Sequence, residues 1–354
     1  MKIYTCHNCK HPLYFENTVC LHCNHEIGFD ATTLEMITLQ TNDHIHYTDV
    51  TNTNMGYRFC ANHQPGTCNW LIPAPDNSLF CSACALNRVI PDLSTTENNH
   101  RWKAMEIAKH RLMYSLLRLQ IAVKAKNGEE IEGIAFDFRD NISPDEMVLT
   151  GHDNGVITIN INEADEGLRT LSKQNLGEKY RTLLGHFRHE VGHYFWDVFF
   201  TDEQWLQRFR QLFGEETVDY GEALQHYYST IAPVNWSDNY ISPYATAHPW
   251  EDWAETWAHY LHMMDTLETA HSFGIKINPY NALSELDMQA NIQKDPYQVI
   301  QFDEILKMWL PLTFAVNSLN RSMGHPDFYP FVISPAVVNK LKFIHELCLA
   351  KKTK

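Results

Sequence analysis

The sequence predicts an α+β chain in two parts: a small cysteine-rich module, then a larger domain whose short sheet precedes a mostly helical remainder. Three observations carry this. Eight of the nine cysteines lie before residue 85. Two alternating apolar segments follow, Ile134 to Phe138 and Gly155 to Ile161, bounded by Gly, Asn and Asp as strands are. Beyond about residue 163 nearly every segment has helical periodicity. At 354 residues the chain is too long for one ordinary core and comfortable for two domains, placed here at 1–95 and 100–354.

The cysteine module comes first. Cys6-x-x-Cys9 and Cys20-x-x-Cys23 have the paired-knuckle spacing that gathers four thiolates around one tetrahedral ion. Zinc is the expected metal, and iron shares the same S4 geometry. Cys60, Cys68, Cys81 and Cys84 form a second set, with one true knuckle and one looser pair. His63 is an alternative to Cys60 or Cys68 there, whereas His7, His22 and His25 read as solvated turn residues. With turn signals at Gln64-Pro65-Gly66 and Pro73 to Asn77, and little periodicity, residues 1–95 are expected to fold around metal rather than around a core. Cys348, alone in an apolar helical pattern, reads as a buried thiol.

Polar Ser94 to Asn99 marks the linker, and an apolar stripe through Trp102, Met105, Leu112, Leu116 and Leu119 predicts a helix from Arg101 to Val123. After the two strands, helices are expected over 163–173, 177–200, 202–213, 219–231, 249–270, 296–317 and 335–351.

Composition narrows the function. A net charge of −15 disfavours nucleic acid, whose binding draws on Lys and Arg neutralising phosphates. No apolar run is long enough for a membrane span. The opening Met1 to Cys6 lacks the apolar core of a secretory signal, so a soluble, cytoplasmic protein is expected.

The chemistry is carried by Leu183 to Asp197, which contains His189-Glu190-Val191-Gly192-His193. On a helix, positions i and i+4 share a face, so both imidazoles can reach one ion, and Glu190 projects beside it. Zinc so held lowers the pKa of a coordinated water toward about 7, and a neighbouring carboxylate can take its proton and pass it to a leaving amine. A catalytic zinc needs a third protein ligand and an open fourth position. Glu251 and Glu255, one turn apart after Pro249, can each serve. His259 and His262 are further alternatives, and Asp252 and Trp253 read as neighbours. Tyr244 is a candidate donor to a tetrahedral oxyanion.

The pattern Glu251-x-x-Ala254-Glu255-x-x-Ala258 resembles the third-ligand helix of the gluzincin metallopeptidases. That resemblance implies Glu251 as ligand and Glu255 as the carboxylate supporting a ligating histidine, an order that metal-site chemistry also favours. Tyr244 is placed much as in zincins of the anthrax lethal-factor type. The knuckles, the run Thr150 to Asn160, Gly185 to Asp197 and Tyr244 to His262 together resemble a bacterial family of zinc-binding metallopeptidases with an N-terminal zinc ribbon. It implies a zincin-like domain behind a double zinc-ribbon-like module, one catalytic and two structural zinc ions, and hydrolysis of a peptide or protein. In zincins the strand before the metal-binding helix pairs with extended substrate, which would be Gly155 to Ile161. The competing class is a regulatory protein whose ribbon recruits a protein partner while the zincin-like domain is a scaffold.

Overall fold

Short strands dominate the first ninety residues, because turn formers interrupt every apolar run before a helix can propagate. The computed structural model describes residues 1–126, 133–141, 147–169, 182–230, 232–280 and 288–353. These fall into two compact units, Met1–Arg118 with Val123–Ser172, and Leu119–Ala122 with Lys173–Lys354. Among the described residues no helix is long and apolar enough to cross a membrane.

In the first unit, β1 (Tyr4–Thr5) and β2 (Pro12–Leu13) form a finger around Cys6 and Cys9. β3 (Glu26–Asp30), β4 (Glu35–Thr41), β5 (Tyr47–Asp49), β6 (Asn52–Phe59) and β7 (Leu71–Pro73) follow as an antiparallel meander. Ile37, Leu39, Tyr47, Tyr57 and Leu71 pack into a core there, with Phe59 against it. This corrects the expectation that residues 1–95 fold around metal alone. The individual strands are too short and too rich in Thr and Asn to betray their apolar face by periodicity, but five of them together bury one.

Helix α1 (Thr96–Leu119) also belongs to this packing. Tyr114 lies edge-on to Phe15 and Phe29, with ring centroids 5.3 and 6.1 Å away. β8 (Asn87–Val89) joins β9 (Ala135–Arg139), β10 (Gly151–Asp153) and β11 (Val156–Asn160) in a second sheet, ordered β10-β11-β9-β8. The compact units therefore differ from a division at 95–100: the cysteine spacing ends there, but the packing continues through α1 and this sheet.

β11 is the strand expected over Gly155 to Ile161, and its position overturns the expectation that it is free to pair with substrate. It is flanked by β9, parallel, and by β10, antiparallel. The β10–β11 turn is set by Asn154 and Gly155, both with positive φ, at 47° and 78°. A side chain on Gly155 would collide with the Gly133 carbonyl. Among the described residues the outer strands of this sheet are β10 and β8.

The second unit is helical: α2 (Leu183–Phe199), α3 (Glu203–Phe213), α4 (Tyr220–Ser229), α5 (Pro249–Ser272), then a two-stranded pairing of β12 (Lys276–Ile277) with β13 (Ala290–Asn291), then α6 (Phe302–Ser322) and α7 (Pro335–Ala350). The starts of α2, α3, α4, α5 and α7 have a local cause. Thr182, Asp202, Asp219, His248 and Ser334 cap an amide of the first turn, and Pro249 and Pro335 occupy first-turn positions. The helix predicted from 296 begins at Phe302, because Pro296–Gln298 closes as a separate 3-10 turn. Of the helix predicted over 163–173, residues 163–164 belong to a 3-10 turn, 166–169 are helical and 170–173 lie outside the described residues, as do 177–181 of the next and residue 231. α5 is the central element, with Trp253, Trp257 and Leu261 fully buried. Cys348 on α7 is buried as expected, beneath Tyr260.

Candidate metal centres

The first centre is local in origin. Cys6 and Cys9 turn through the β1–β2 finger, and Cys20 and Cys23 through the next knuckle. Their sulfurs approach in pairs, Cys6 to Cys23 and Cys9 to Cys20, each at 3.6 Å. Metal–sulfur bonds of about 2.3 Å put the corners of a tetrahedron about 3.8 Å apart, so the spacing fits zinc. The His25 amide aimed at Cys23 pulls that thiol down to about 5, toward the thiolate a metal requires. His22 stacks on His11, His25 holds to the Cys23 carbonyl, and His7 faces Asp49; none joins the sulfur cluster.

Cys60, Cys68, Cys81 and Cys84 gather in the second centre, all buried. Cys68 and Cys81 sulfurs are 3.8 Å apart. Backbone amides of Cys81, Trp70 and Cys84 point at the sulfurs of Cys60, Cys68 and Cys81, at 3.3, 3.3 and 3.4 Å. His63 turns away, its Nδ1 2.9 Å from the Cys68 carbonyl and its ring stacked on Phe59. Instead α1 supplies a histidine that the spacing did not reveal. His110 places Nε2 3.3 Å from the Cys68 sulfur, while its Nδ1 faces the Glu106 carbonyl at 2.6 Å and so carries a proton. Glu106 and buried Lys109 complete the surroundings as an ion pair at 2.9 Å.

The third centre is assembled by α2 and α5. Phe187, Val191, Tyr194 and Phe195 bury one side of α2, which sets His189 and His193 a turn apart on another. Gly192 lets the helices close: a side chain there would meet the Ala254 backbone and the Trp257 ring at 3.1 Å. Trp253 Nε1 donates to the Gly192 carbonyl at 2.8 Å. On α5, His248 accepts from the Trp250 amide and donates through Nε2 to the Val218 carbonyl, at 3.0 and 3.1 Å, which fixes the first turn that presents Glu251.

Three donor atoms converge. Glu251 Oε2 is 3.0 Å from His189 Nε2 and 3.5 Å from His193 Nε2, and the two nitrogens are 3.1 Å apart. Nitrogen and oxygen bonds of about 2.0–2.2 Å to zinc require corners about 3.3–3.6 Å apart, so the triangle fits that ion with little adjustment. Glu251 is 1% exposed and its Oε2 has no hydrogen-bond donor, as a metal-facing oxygen should be. His189 Nδ1 donates to Glu255 Oε1 at 2.8 Å, which leaves the Nε2 lone pair aimed at the triangle. Ser242 in turn donates to Glu255 Oε2 at 2.6 Å.

Charge follows the same logic. Burial alone would lift Glu251, yet His193 and His189 hold its carboxyl well below the ordinary range. Burial likewise works against charge on His189, and without a metal Glu251 and Glu255 outweigh it, so a proton would hold the place that a bound cation would take from it. A divalent cation satisfies the same demand. Glu190, buried on α2, is raised by burial above an ordinary glutamate. Tyr244, whose ring centroid is 6.0 Å from that of His189, is pushed well up by burial and keeps its proton as a donor.

The other candidates lie elsewhere. His259 Nδ1 meets the Tyr329 hydroxyl at 2.9 Å, His262 meets Arg188, and Asp252 accepts from Lys340 at 2.5 Å. Two aromatic neighbours escaped sequence reasoning. Trp250 packs on the His193 ring at 3.9 Å, and Tyr220 of α4 donates to Glu251 Oε1 at 2.6 Å. No periodic or motif signal links α4 to this centre.

Comparison with protein-family models matches residues 98–347 to a family described as "Putative zinc-binding metallo-peptidase", and residues 3–95 to a zinc-ribbon domain. An uncharacterized protein of Mycobacterium bovis is 37% identical over 346 residues, 98% of this chain and 94% of that protein. Uncharacterized proteins of two Mycobacterium tuberculosis strains match to the same extent. No solved structure matches.

Proposed function

The chain belongs to the zinc-binding metallo-peptidase family so described, and from that premise we propose that it hydrolyses peptide bonds at the His189–His193–Glu251 centre. The observation that carries the reading is the buried, undonated Glu251 Oε2 within 3.0 and 3.5 Å of two imidazole nitrogens, one of them oriented by Glu255. In this reading the helical unit is a zincin-like domain of the gluzincin kind, and the chain carries one catalytic and two structural zinc ions.

His189, His193 and Glu251 would hold a zinc ion, which would supply Lewis acidity and activate water for attack. The protein does the rest. His189 and His193 offer neutral nitrogens, and Glu255 fixes the tautomer of the first. Glu190 is the general base: it takes a proton from the attacking water and returns it to the leaving amine. Burial raises its carboxyl and a bound dication would oppose that shift, which keeps the carboxylate available as a base. Tyr244 donates to the oxygen that becomes negative as the carbonyl turns tetrahedral. The substrate is a peptide or protein, the ribbon unit is a surface for a protein partner, and the chain works in the cytoplasm. Net acidity weighs against nucleic acid.

The test is metal analysis with cleavage of a mixed peptide library by wild type and Glu190→Gln. Gln keeps shape and hydrogen bonding but cannot accept the proton, so zinc content should hold while turnover falls by about 10⁴-fold or more. Equal cleavage by a zinc-loaded Glu190→Gln would refute hydrolysis at this centre and leave the scaffold reading.

A further inference from the structure

Glu251 uses its two oxygens differently. Oε2 lies among the imidazole nitrogens, while Oε1 accepts from the Tyr220 hydroxyl at 2.6 Å. We infer that Tyr220 is a positioning residue that holds Glu251 to one-oxygen coordination and so keeps the fourth metal position open. The inference rests on the metal centre proposed above.

The physical need is specific. A carboxylate can bind zinc through one oxygen or close on it through both, and the second mode takes space that an attacking water requires. Two histidines cannot decide between these modes, because they touch only Oε2. A short hydrogen bond on Oε1 does decide, since bringing that oxygen to the metal would break it.

Tyr220 is held for the task from several directions. Asp219 caps α4 immediately before it by accepting from the Glu222 amide at 2.8 Å. The Val218 carbonyl accepts from His248, the cap of α5, at 3.1 Å, which ties the α4 entrance to the turn that carries Glu251. The Tyr220 ring stands edge-on to His248 and Trp250, with centroids 5.3 and 5.5 Å away, and Trp250 in turn packs on His193. The Tyr244 hydroxyl is also a hydrogen-bond neighbour of the Tyr220 hydroxyl. Tyr220 thus joins the proposed ligand to the proposed oxyanion donor.

The experiment uses the full chain and Tyr220→Phe, which keeps the ring and its packing and removes only the hydroxyl. Tyr228→Phe, on the exposed side of the same helix, is the control. Zinc affinity is read by chelator competition, and coordination by cobalt(II) visible spectra, each corrected by subtraction of His193→Ala to remove the cysteine centres. Tyr220→Phe should lose about 10–100-fold in zinc affinity. Its cobalt bands should weaken as the second oxygen closes in and the tetrahedral geometry is lost. Tyr228→Phe should match wild type.

Unchanged affinity and spectrum in Tyr220→Phe would overturn the inference; a turnover loss in that case would make Tyr220 a donor to substrate. Wild type and His193→Ala with equal metal content would overturn the metal-centre reading itself, and the inference with it.

Discussion

The cysteine centres and the His189–His193–Glu251 centre are both sets of metal-ligating atoms at zinc-like spacing, but they are built by opposite means. The cysteine sets come from tight local turns, and backbone amides of those turns point at their sulfurs. Four thiolates would close a tetrahedral coordination sphere. The third centre draws three unlike donors from two long helices, and each is held by a side chain remote in sequence: Glu255 for His189, Tyr220 for Glu251, Trp250 for His193. A sphere closed by local turns suits a structural ion. Three donors braced from outside leave room for chemistry.

The sharpest way to break this comparison is to remove one donor from the third centre. Glu251→Ala should empty it entirely while the ions held by the cysteines remain, so metal content should fall by about one per chain and activity should vanish. Glu255→Ala leaves the three donors and frees the His189 ring and the Ser242 hydroxyl, so metal should stay with affinity reduced about 10–100-fold. Metal analysis of both variants at a fixed chelator concentration separates these outcomes. A reversed result would make Glu255 the ligand.

Between those extremes lies Tyr244→Phe. Removing one oxyanion donor should lower turnover by about 10²–10³-fold with zinc content unchanged. Steady-state kinetics on any cleaved peptide, with parallel metal analysis, measures it. Unchanged turnover would reduce Tyr244 to a packing residue against Tyr227, whose ring lies 5.6 Å away.

Much of the candidate chemistry was legible because helical spacing is geometry. His189 with His193, and Glu251 with Glu255, sit one turn apart wherever a helix forms, so their sharing of a face could be read from residue numbers alone. The knuckles were legible for the same reason. What spacing cannot express is partnership across the fold. Tyr220 and His110 act on ligands far away in sequence, and an isolated Tyr or His carries no mark of its destination. The meander of β3 to β7 was hidden because each strand is short and its apolar side is shared among five segments. The role expected of β11 failed on sheet order: alternation identifies a strand, but not whether its neighbours leave an edge open.

The two cysteine centres also differ from each other, and that difference yields the smallest expected effect. Cys9 and Cys23 are only partly buried, and the finger that carries the first set is tied to the sheet by His7 N–H to the Thr38 hydroxyl at 2.8 Å, that hydroxyl to the Cys6 sulfur at 3.6 Å, Asn69 Nδ2 to the Phe15 carbonyl at 2.7 Å and the Phe15 ring against Phe29. The meander has its own apolar core. Cys6→Ser should therefore release about one zinc and loosen residues 1–25 to protease, yet leave the rest of the unit folded. Cys84 is different, because its sulfur lies beside Glu106 and His110, on a buried charged network that includes Lys109. Leaving a buried polar group without its partner costs about 1–3 kcal/mol, so Cys84→Ser should lower the melting temperature more for the same loss of one zinc. Thermal unfolding with metal analysis reads both quantities on the same samples. Equal destabilisation by the two substitutions would mean that the first ion, and not the apolar core of the meander, holds the N-terminal unit together.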